Sequence, residues 1–360
     1  MKNTFGQSIS VTVFGESHGE AIGAIIDGIA PGVEINTDKI DSQLAKRRPQ
    51  AKTDTARVEK DEYKILSGVF NGKSTGTPIA IVIPNENTRS KDYSYGIARP
   101  SHADYSAFCK YHGYEDYRGG GHFSGRITAS IVAAGAILID ALEKKGIKIG
   151  THILKCAGKT DRAFEGVESD IDYLASASFP TLDKRAEEEM TNAILEAKAD
   201  GDSVGGILQT AITGIPAGVG EPWFDSVESL LSHALFSIGG VKGVEFGAGF
   251  SLADMRGSEA NDAFEVVNGQ IVTKTNNNGG INGGITNGMP VLFNCVIKPT
   301  PSILKEQQSV NFKENTNQAL KIEGRHDPAI VRRACVVVDS VCAIVVADML
   351  AQRYGTDYLA

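Results

Sequence analysis

The sequence predicts one α+β domain, and three observations carry that reading. Short strand-like runs are scattered along the chain, and several alternate polar and apolar residues, as antiparallel strands with one covered face do. Strong helical segments lie between them without a regular βαβα order, which argues against a Rossmann or TIM-barrel plan. No Ser/Gly/Pro linker, composition break or solenoid repeat divides residues 1–360.

Taken in order, Ser8–Phe14 (SISVTVF) alternates and reads as a half-buried strand. Thr37 is placed to cap a helix from Asp38 to about Arg48, and Pro49 stops it. Ile65–Phe70 and Pro78–Ile83 read as strands. Residues 126–145 form a strong helix directly after a triple glycine. Residues 183–199 form another, with an acidic first half and a lysine near the end, in keeping with the helix dipole. Strands follow at Gly206–Ile212, Gly243–Phe250 and Val291–Ile297, with a helix at 226–236 between the first two. The last helix spans about 328–353, with Asp327 as N-cap and Pro328 in the first turn. Its apolar core, Ala334–Leu350, is interrupted by Asp339 and Asp348; it is too short and charged for a membrane span and reads as a buried helix. Residues 151–175 and 255–275 carry no readable motif and are expected to be surface insertions.

Composition narrows the function. With 44 acidic and 36 basic side chains the net charge is −8, which disfavours a nucleic-acid binder but leaves room for a local basic pocket. The cysteines number five and include no C-x-x-C pair, so neither a disulfide framework nor a metal site is expected, and a reducing cytoplasm is the simple reading. The N-terminal stretch MKNTFGQSISVTVFGESHG lacks an apolar h-region, so no signal peptide is expected.

Five segments set histidine or arginine among small residues that let backbone approach a ligand. They are Gly15–Gly19 (GESHG), Arg99–Asp104 (RPSHAD), Gly119–Arg126 (GGGHFSGR), Asn276–Gly288 and Gly324–Pro328 (GRHDP). They hold four of the seven histidines, which points to a site if they converge in space. Gly119–Arg126 leads into a helix N-terminus and reads either as an anion cradle or as a tight turn. It matches neither a P-loop nor the dinucleotide fingerprint. Asn276–Gly288 is either a polar loop or a loop held against a flat ligand. Lys298-Pro299-Thr300-Pro301-Ser302 could reach phosphate oxygens or be a plain loop. Lys46-Arg47-Arg48 suits a helix C-terminus without further purpose. Asp327 is either an N-cap or an acid–base group. The residues alone thus describe a site for polyanions, and no reaction.

Together and in this order, these segments resemble the chorismate synthases. The likeness runs from Thr4-Phe5-Gly6 to the final helix and includes Gly201–Gly206 (GDSVGG) and Gly240–Gly247 (GVKGVEFG). The resemblance implies a β-α-β sandwich with antiparallel sheets packed in the core and helices outside. It implies a 1,4-anti elimination of phosphate from 5-enolpyruvylshikimate 3-phosphate, giving chorismate, the last step of the shikimate pathway. That reaction needs reduced FMN without net redox change. No added reductase segment is visible, so a reductant such as NADPH is expected to act through a separate flavin reductase. A cytoplasmic homotetramer is implied, with no nucleic-acid or membrane partner.

By motif match, His18 would donate a proton toward the departing phosphate, His102 would protonate the flavin, and Asp327 would help take the flavin N5 proton. Flavin contacts would come from His122, Phe123, Ser124, Gly239, Gly240, Gly283, Lys298, Pro299, Thr300, Pro301, Ser302 and Arg325. Substrate contacts would come from Ser17, Arg47, Arg48, Arg57, Arg99, Arg126 and Arg325. Arginine suits these roles because its planar fork grips carboxylate and phosphate through two bonds. Many members read Gly-Gly-Gly-Arg-Ser-Ser-Ala-Arg where this chain has Gly-Gly-Gly-His-Phe-Ser-Gly-Arg, so a titratable His122 replaces a fixed charge. The rival reading is a flavin- or phosphate-binding protein without turnover; His18, His102 and Asp327 together argue against it.

Overall fold

A computed structural model describes residues 2–55, 59–86, 95–322 and 326–360. The first part of the chain builds one antiparallel sheet. Strands β1 (Thr4–Phe5), β2 (Ser10–Gly15) and β3 (Ala21–Asp27) form a meander, and helix α1 (Thr37–Arg47) follows. Next come β4 (Lys64–Ser67), a small ribbon of β5 (Val69–Phe70) and β6 (Lys73–Ser74), and β7 (Ile79–Pro84). The sheet order is β1-β2-β3-β7-β4. Strand β3 went unread in the sequence because its AIGAII run does not alternate. Gly23 explains part of that: a Cβ there would lie 2.3 Å from the Phe14 ring and 2.4 Å from the Ile81 carbonyl.

Helices α2 (Asp104–Tyr111) and α3 (Thr128–Lys144) lead into the second half. There follow β8 (Lys148–Cys156), β9 (Lys159–Thr160), α4 (Val167–Ser176), α5 (Lys184–Ala199), β10 (Gly206–Thr213), α6 (Val227–Leu235) and β11 (Val241–Phe246). After the short α7 (Gly257–Ala260) come ribbons β12 (Phe264–Val267) with β13 (Gln270–Thr273), and β14 (Ile281–Asn282) with β15 (Ile285–Thr286). Strand β16 (Val291–Ile297), ribbon β17 (Gln307–Asn311) with β18 (Thr316–Leu320), and α8 (Val331–Tyr354) complete the chain. The second sheet has the order β11-β16-β10-β8-β9, again antiparallel throughout.

The α+β class and the antiparallel sandwich are as expected, but the layering differs. The two longest helices lie between the sheets, not outside them. α3 packs on β3 and β7 of the first sheet and on β8 of the second, and α8 packs on β8, β10 and β2. Their composition explains this: α3 is buried continuously from Val132 to Leu142, and a helix apolar all round must be covered all round. The two pack closely at Gly135, where a Cβ would stand 2.4 Å from the Ser340 Cβ. By length and apolarity Gly125–Lys144 and Val331–Tyr354 could each cross a membrane, yet 83% and 94% of their most apolar windows are buried within the fold. The final helix, Val331–Tyr354, falls close to the expected 328–353; it is long and apolar enough to span, against the expectation that it is too short and charged, and its buried state is as expected. Asp348 does not interrupt it; its carboxylate accepts from the Gln7, Ser8 and Ile9 N–H groups at 2.7–3.1 Å, fastening the N-terminal turn.

Other boundaries shift for local reasons. Asn36, not Thr37, caps α1, accepting from Lys39 N at 3.1 Å. Residues 151–156 are no surface insertion but part of β8, a largely buried strand next to the edge of the second sheet, packed against α8 and α4. By contrast Phe264, Val266 and Ile271 in the 255–275 segment do stand on the surface.

Candidate active site

The triple glycine forms the floor of the site. Gly119, Gly120 and Gly121 have φ of 62°, 84° and 52°, the left-handed region that favours glycine. The packing demands it too. A Cβ on Gly119 would lie 2.2 Å from His18 Cε1, and one on Gly120 would lie 3.1 Å from His102 Cε1. The run is thus neither a helix N-terminus nor an idle turn. Helix α3 begins only at Thr128, after a 3-10 turn. The glycines let two imidazoles from distant parts of the chain rest on adjacent residues.

His18 follows the end of β2. Its loop is tied down by Ser17 N–H donating to the Gly121 carbonyl at 3.1 Å and by Asn85 Nδ2 donating to Glu16 O and Gly19 O. Ser17 Oγ donates to Arg118 O at 3.1 Å, so it is an acceptor toward His18 Nδ1, also at 3.1 Å. That arrangement places the Nδ1 proton on His18 and leaves Nε2 as the atom that changes protonation. Ser17 is fully buried behind the ring and is not part of the cavity wall.

His102 is oriented by a carboxylate. Its Nδ1 lies 2.7 Å from Asp104 Oδ1, and Arg99 grips the same carboxylate through Nε at 2.8 Å and Nη2 at 2.7 Å. Burial alone would raise Asp104, but the bonds from Arg99 and His102 outweigh it and hold its carboxyl well below the usual range. Asp104 is therefore a permanent anion that holds the proton on His102 Nδ1. His122 is fixed similarly: Nδ1 lies 2.8 Å from Gly15 O, an acceptor only, so it carries the proton.

The arginines converge from the end of α1 and from the 3-10 turn before α3. Arg47, at the end of α1, donates through Nε to Thr128 Oγ1 at 2.9 Å and through Nη2 to Gly125 O at 2.7 Å. Arg126 donates through Nε to Asn85 Oδ1 at 3.0 Å and through Nη2 to Pro84 O at 3.2 Å. Each turns its Nη1 toward Asp61, which also has Arg48 Nε 3.8 Å away. Burial, reinforced by Arg333, pushes the Arg47 guanidinium down to about 9, still charged at neutral pH. Asp327 is held by Arg333 Nη1 at 2.6 Å and by Thr55 N–H at 2.8 Å. It is not an N-cap: α8 starts at Val331 and its first turn has no side-chain cap, so the expected Asp327-Pro328 start falls outside the helix.

The opposite wall is the segment after β16. Lys298 N–H donates to Gly240 O at 2.9 Å and its Nζ to Ser101 O at 2.5 Å, joining this strip to Gly239–Gly240 and to the His102 loop. Thr300 Oγ1 is buried and meets no hydrogen-bond partner among the described residues. A buried hydroxyl left in that state suits a polar ligand atom.

All of this encloses one cavity of about 1400 Å³. That exceeds the ~300–1,000 Å³ of an ordinary small-molecule site, so there is room for two ligands side by side. His18, His102, Asp327, Arg47, Arg99, Arg126, His122–Ser124, Gly239, Gly240 and Lys298–Ser302 all line it. Arg48 does not; its chain end lies behind Asp61. Nor does Gly283. It forms a two-residue turn with Gly284, φ 62° and 87°, closing the β14–β15 hairpin. Buried Thr286 anchors that hairpin on residues 216–219 instead, so the Asn276–Gly288 loop does not wall the cavity in this chain. Arg57 and Arg325 lie outside the described residues. Asp61, Asp104 and Arg333 were not singled out as site residues in the sequence. Asp104 was within reach, two positions after His102; Asp61 and Arg333 had no local signal.

Acid–base side chains opening into the same space as buried guanidiniums serve chemistry on an anion, so the class defined here is an enzyme with an anionic small-molecule substrate. A family model described as chorismate synthase matches residues 9–351. The chain is 44% identical over 350 residues to a chorismate synthase of Thermococcus kodakarensis, covering 97% of each. It is 44% identical over 359 residues to that of Dehalococcoides mccartyi, covering 99% of this chain and 98% of the relative. A crystal structure of chorismate synthase superposes with a TM-score of 0.77 at 30% identity, covering 98% of this chain and 94% of that one. The chain belongs to the chorismate synthase family, and with it is a carbon–oxygen lyase that forms chorismate.

Proposed function

We propose that the cavity holds 5-enolpyruvylshikimate 3-phosphate beside reduced FMN and eliminates phosphate 1,4-anti to give chorismate. The observation that carries this is the glycine floor, which seats His18 and His102 on neighbouring residues of a cavity large enough for both molecules. Arg47 and Arg126 would take substrate anions, with Arg99 contributing field while its fork stays on Asp104. The strip Lys298–Ser302, with the buried Thr300 hydroxyl, and Gly239–Gly240 fit the flavin. When bound, the reduced flavin would supply the transient electron that a redox-neutral elimination needs.

The chain's own groups then handle protons. His18, with its Nδ1 proton engaged by Ser17, presents Nε2 to give a proton to the departing phosphate. His102, its Nδ1 proton held by Asp104, offers Nε2 as the exchangeable site beside the flavin. Asp327 would accept a proton once one of its two contacts, to Arg333 or Thr55, yields. Guanidiniums already in place stabilise the negative charge that builds on the leaving group.

The flavin is proposed to be reduced elsewhere, with NADPH as the electron source through a separate reductase. A homotetramer is supported by large apolar side chains that stand exposed in the single chain, among them Trp223, Phe224 and Phe250 at 81–91% exposure. Cytoplasmic residence is supported by the five cysteines, all free. The deciding experiment is anaerobic phosphate release from 5-enolpyruvylshikimate 3-phosphate with chemically reduced FMN, against oxidised FMN. Release only with the reduced flavin is expected; release in neither state overturns the reading.

A further inference from the structure

Arg47 and Arg126 would repel one another, yet neither is held in place by Asp61. Their Nε and Nη2 groups are already fixed by neutral acceptors: Thr128 Oγ1 and Gly125 O for Arg47, Asn85 Oδ1 and Pro84 O for Arg126. What remains is one Nη1 from each, aimed at the same point. Asp61 fills that point, with Oδ1 on Arg126 and Oδ2 3.4 Å from Arg47 Nη1. Among the described residues its carboxylate meets only guanidiniums, three to one. The backbone reaches there in an uncommon conformation, φ 55° at a buried aspartate. Left-handed backbone at a non-glycine residue is a mild strain that persists where the surroundings demand it. A carboxylate set between two preformed guanidiniums has the chemistry of the ligand those guanidiniums await.

We propose that Asp61 is an internal ligand: it occupies the anion subsite formed by Arg47 and Arg126, and an incoming phosphate or carboxylate group binds there by displacing it. Asp61 thereby sets the affinity of the subsite. Two charged N–H donors reserved for one anion would otherwise bind any anion of the right size, and the internal carboxylate raises the threshold that an arriving group must exceed. The identity of the natural anion rests on the function proposed above; the subsite itself does not, and inorganic phosphate is a sufficient probe.

The experiment is a calorimetric titration of the full chain with inorganic phosphate. Asp61→Asn keeps the shape and removes the charge, and is expected to lower the phosphate Kd at least tenfold, about 1.4 kcal/mol. The gain must vanish in Asp61→Asn combined with Arg126→Gln, which separates this subsite from other basic patches. Affinity that is equal, weaker or absent in Asp61→Asn overturns the proposal. If that variant fails to fold, hydrogen exchange on the wild-type chain decides. Saturating phosphate should speed exchange in the peptide containing 59–61 while protecting Gly125–Thr128; slower or unchanged exchange at 59–61 overturns the proposal. A failed turnover assay with a positive phosphate titration would sink the proposed reaction and leave the subsite standing.

Discussion

Asp54 and Asp61 are both buried, with side chains 1% exposed, and both face arginine, yet they do different work. Asp54 pairs with one arginine, Arg332, whose fork also donates to the Arg48 and Ser178 carbonyls. Its oxygens also accept from the Gln50 and Ala51 N–H groups at 2.8 and 2.9 Å. Burial would raise its carboxyl, but the bonds from Arg332 and the backbone pull it below the ordinary range. That pair is a closed structural bolt joining the end of α1 to α8. Asp61 faces three arginines and bonds no backbone group among the described residues, and it lies in a cavity wall. The lesson is one of stoichiometry: a buried carboxylate matched one to one is structure, and one outnumbered by preformed cations holds the place of a ligand.

Four variants would break or sharpen this contrast. The largest effect belongs to Asp54→Asn. Uncoupling a buried pair leaves Arg332 uncompensated, so the unfolding free energy in urea should fall by about 3–5 kcal/mol. Turnover per folded molecule should be preserved; a loss of activity with intact stability would make Asp54 part of the site. Next is Gly119→Ala, whose new Cβ must displace His18. Turnover should drop about 100-fold, as for a roughly 1 Å misplacement of a reacting group. The accompanying stability loss should be only about 1–2 kcal/mol. Wild-type turnover would show that the glycine floor does not position His18.

Asp104→Asn comes third. Without a carboxylate on Nδ1, His102 loses its preferred tautomer, and kcat should fall about tenfold with KM nearly unchanged. A change confined to KM would instead assign the effect to Arg99, which shares that carboxylate. The smallest effect tests a third aspartate, Asp339, half-buried but with its Oδ1 buried and unpartnered among the described residues. Burial pushes the Asp339 carboxyl up to about 7, against the opposing pull of Thr151 and Lys46. An unfolded carboxyl titrates near ~4, so between about pH 4 and 7 the folded state binds more protons than the unfolded one. Stability from this group therefore falls as pH rises through that window. Asp339→Asn should raise Tm by about 3 °C more at pH 8 than at pH 4, measured by thermal unfolding. An equal shift at both values would mean the group is already ionised in the fold.

Local chemistry by itself determined a good deal. Periodicity placed Val291–Ile297 to the residue and most helices to within a few residues, because side-chain spacing alone decides which backbone shape can bury one face. The histidine-bearing motifs were legible as a site, and most of their residues do line one cavity. What remained hidden was whatever depends on partners far away in the chain. Whether α3 and α8 lie inside or outside the sheets depends on what covers their second apolar face. Asp327 reads in the sequence either as an N-cap or as an acid–base group; the fold gives its oxygens to Arg333 and Thr55 and removes the N-cap alternative. Gly283 reads as a ligand contact in the sequence, yet buried Thr286 draws its hairpin to residues 216–219. Asp61 carried no motif at all; only folding brings it among Arg47, Arg48 and Arg126, up to 65 positions away. A sequence states which groups can carry charge and which turns they can make. Which charge meets which is settled by packing, because electrostatic partners are chosen across space after the core has closed.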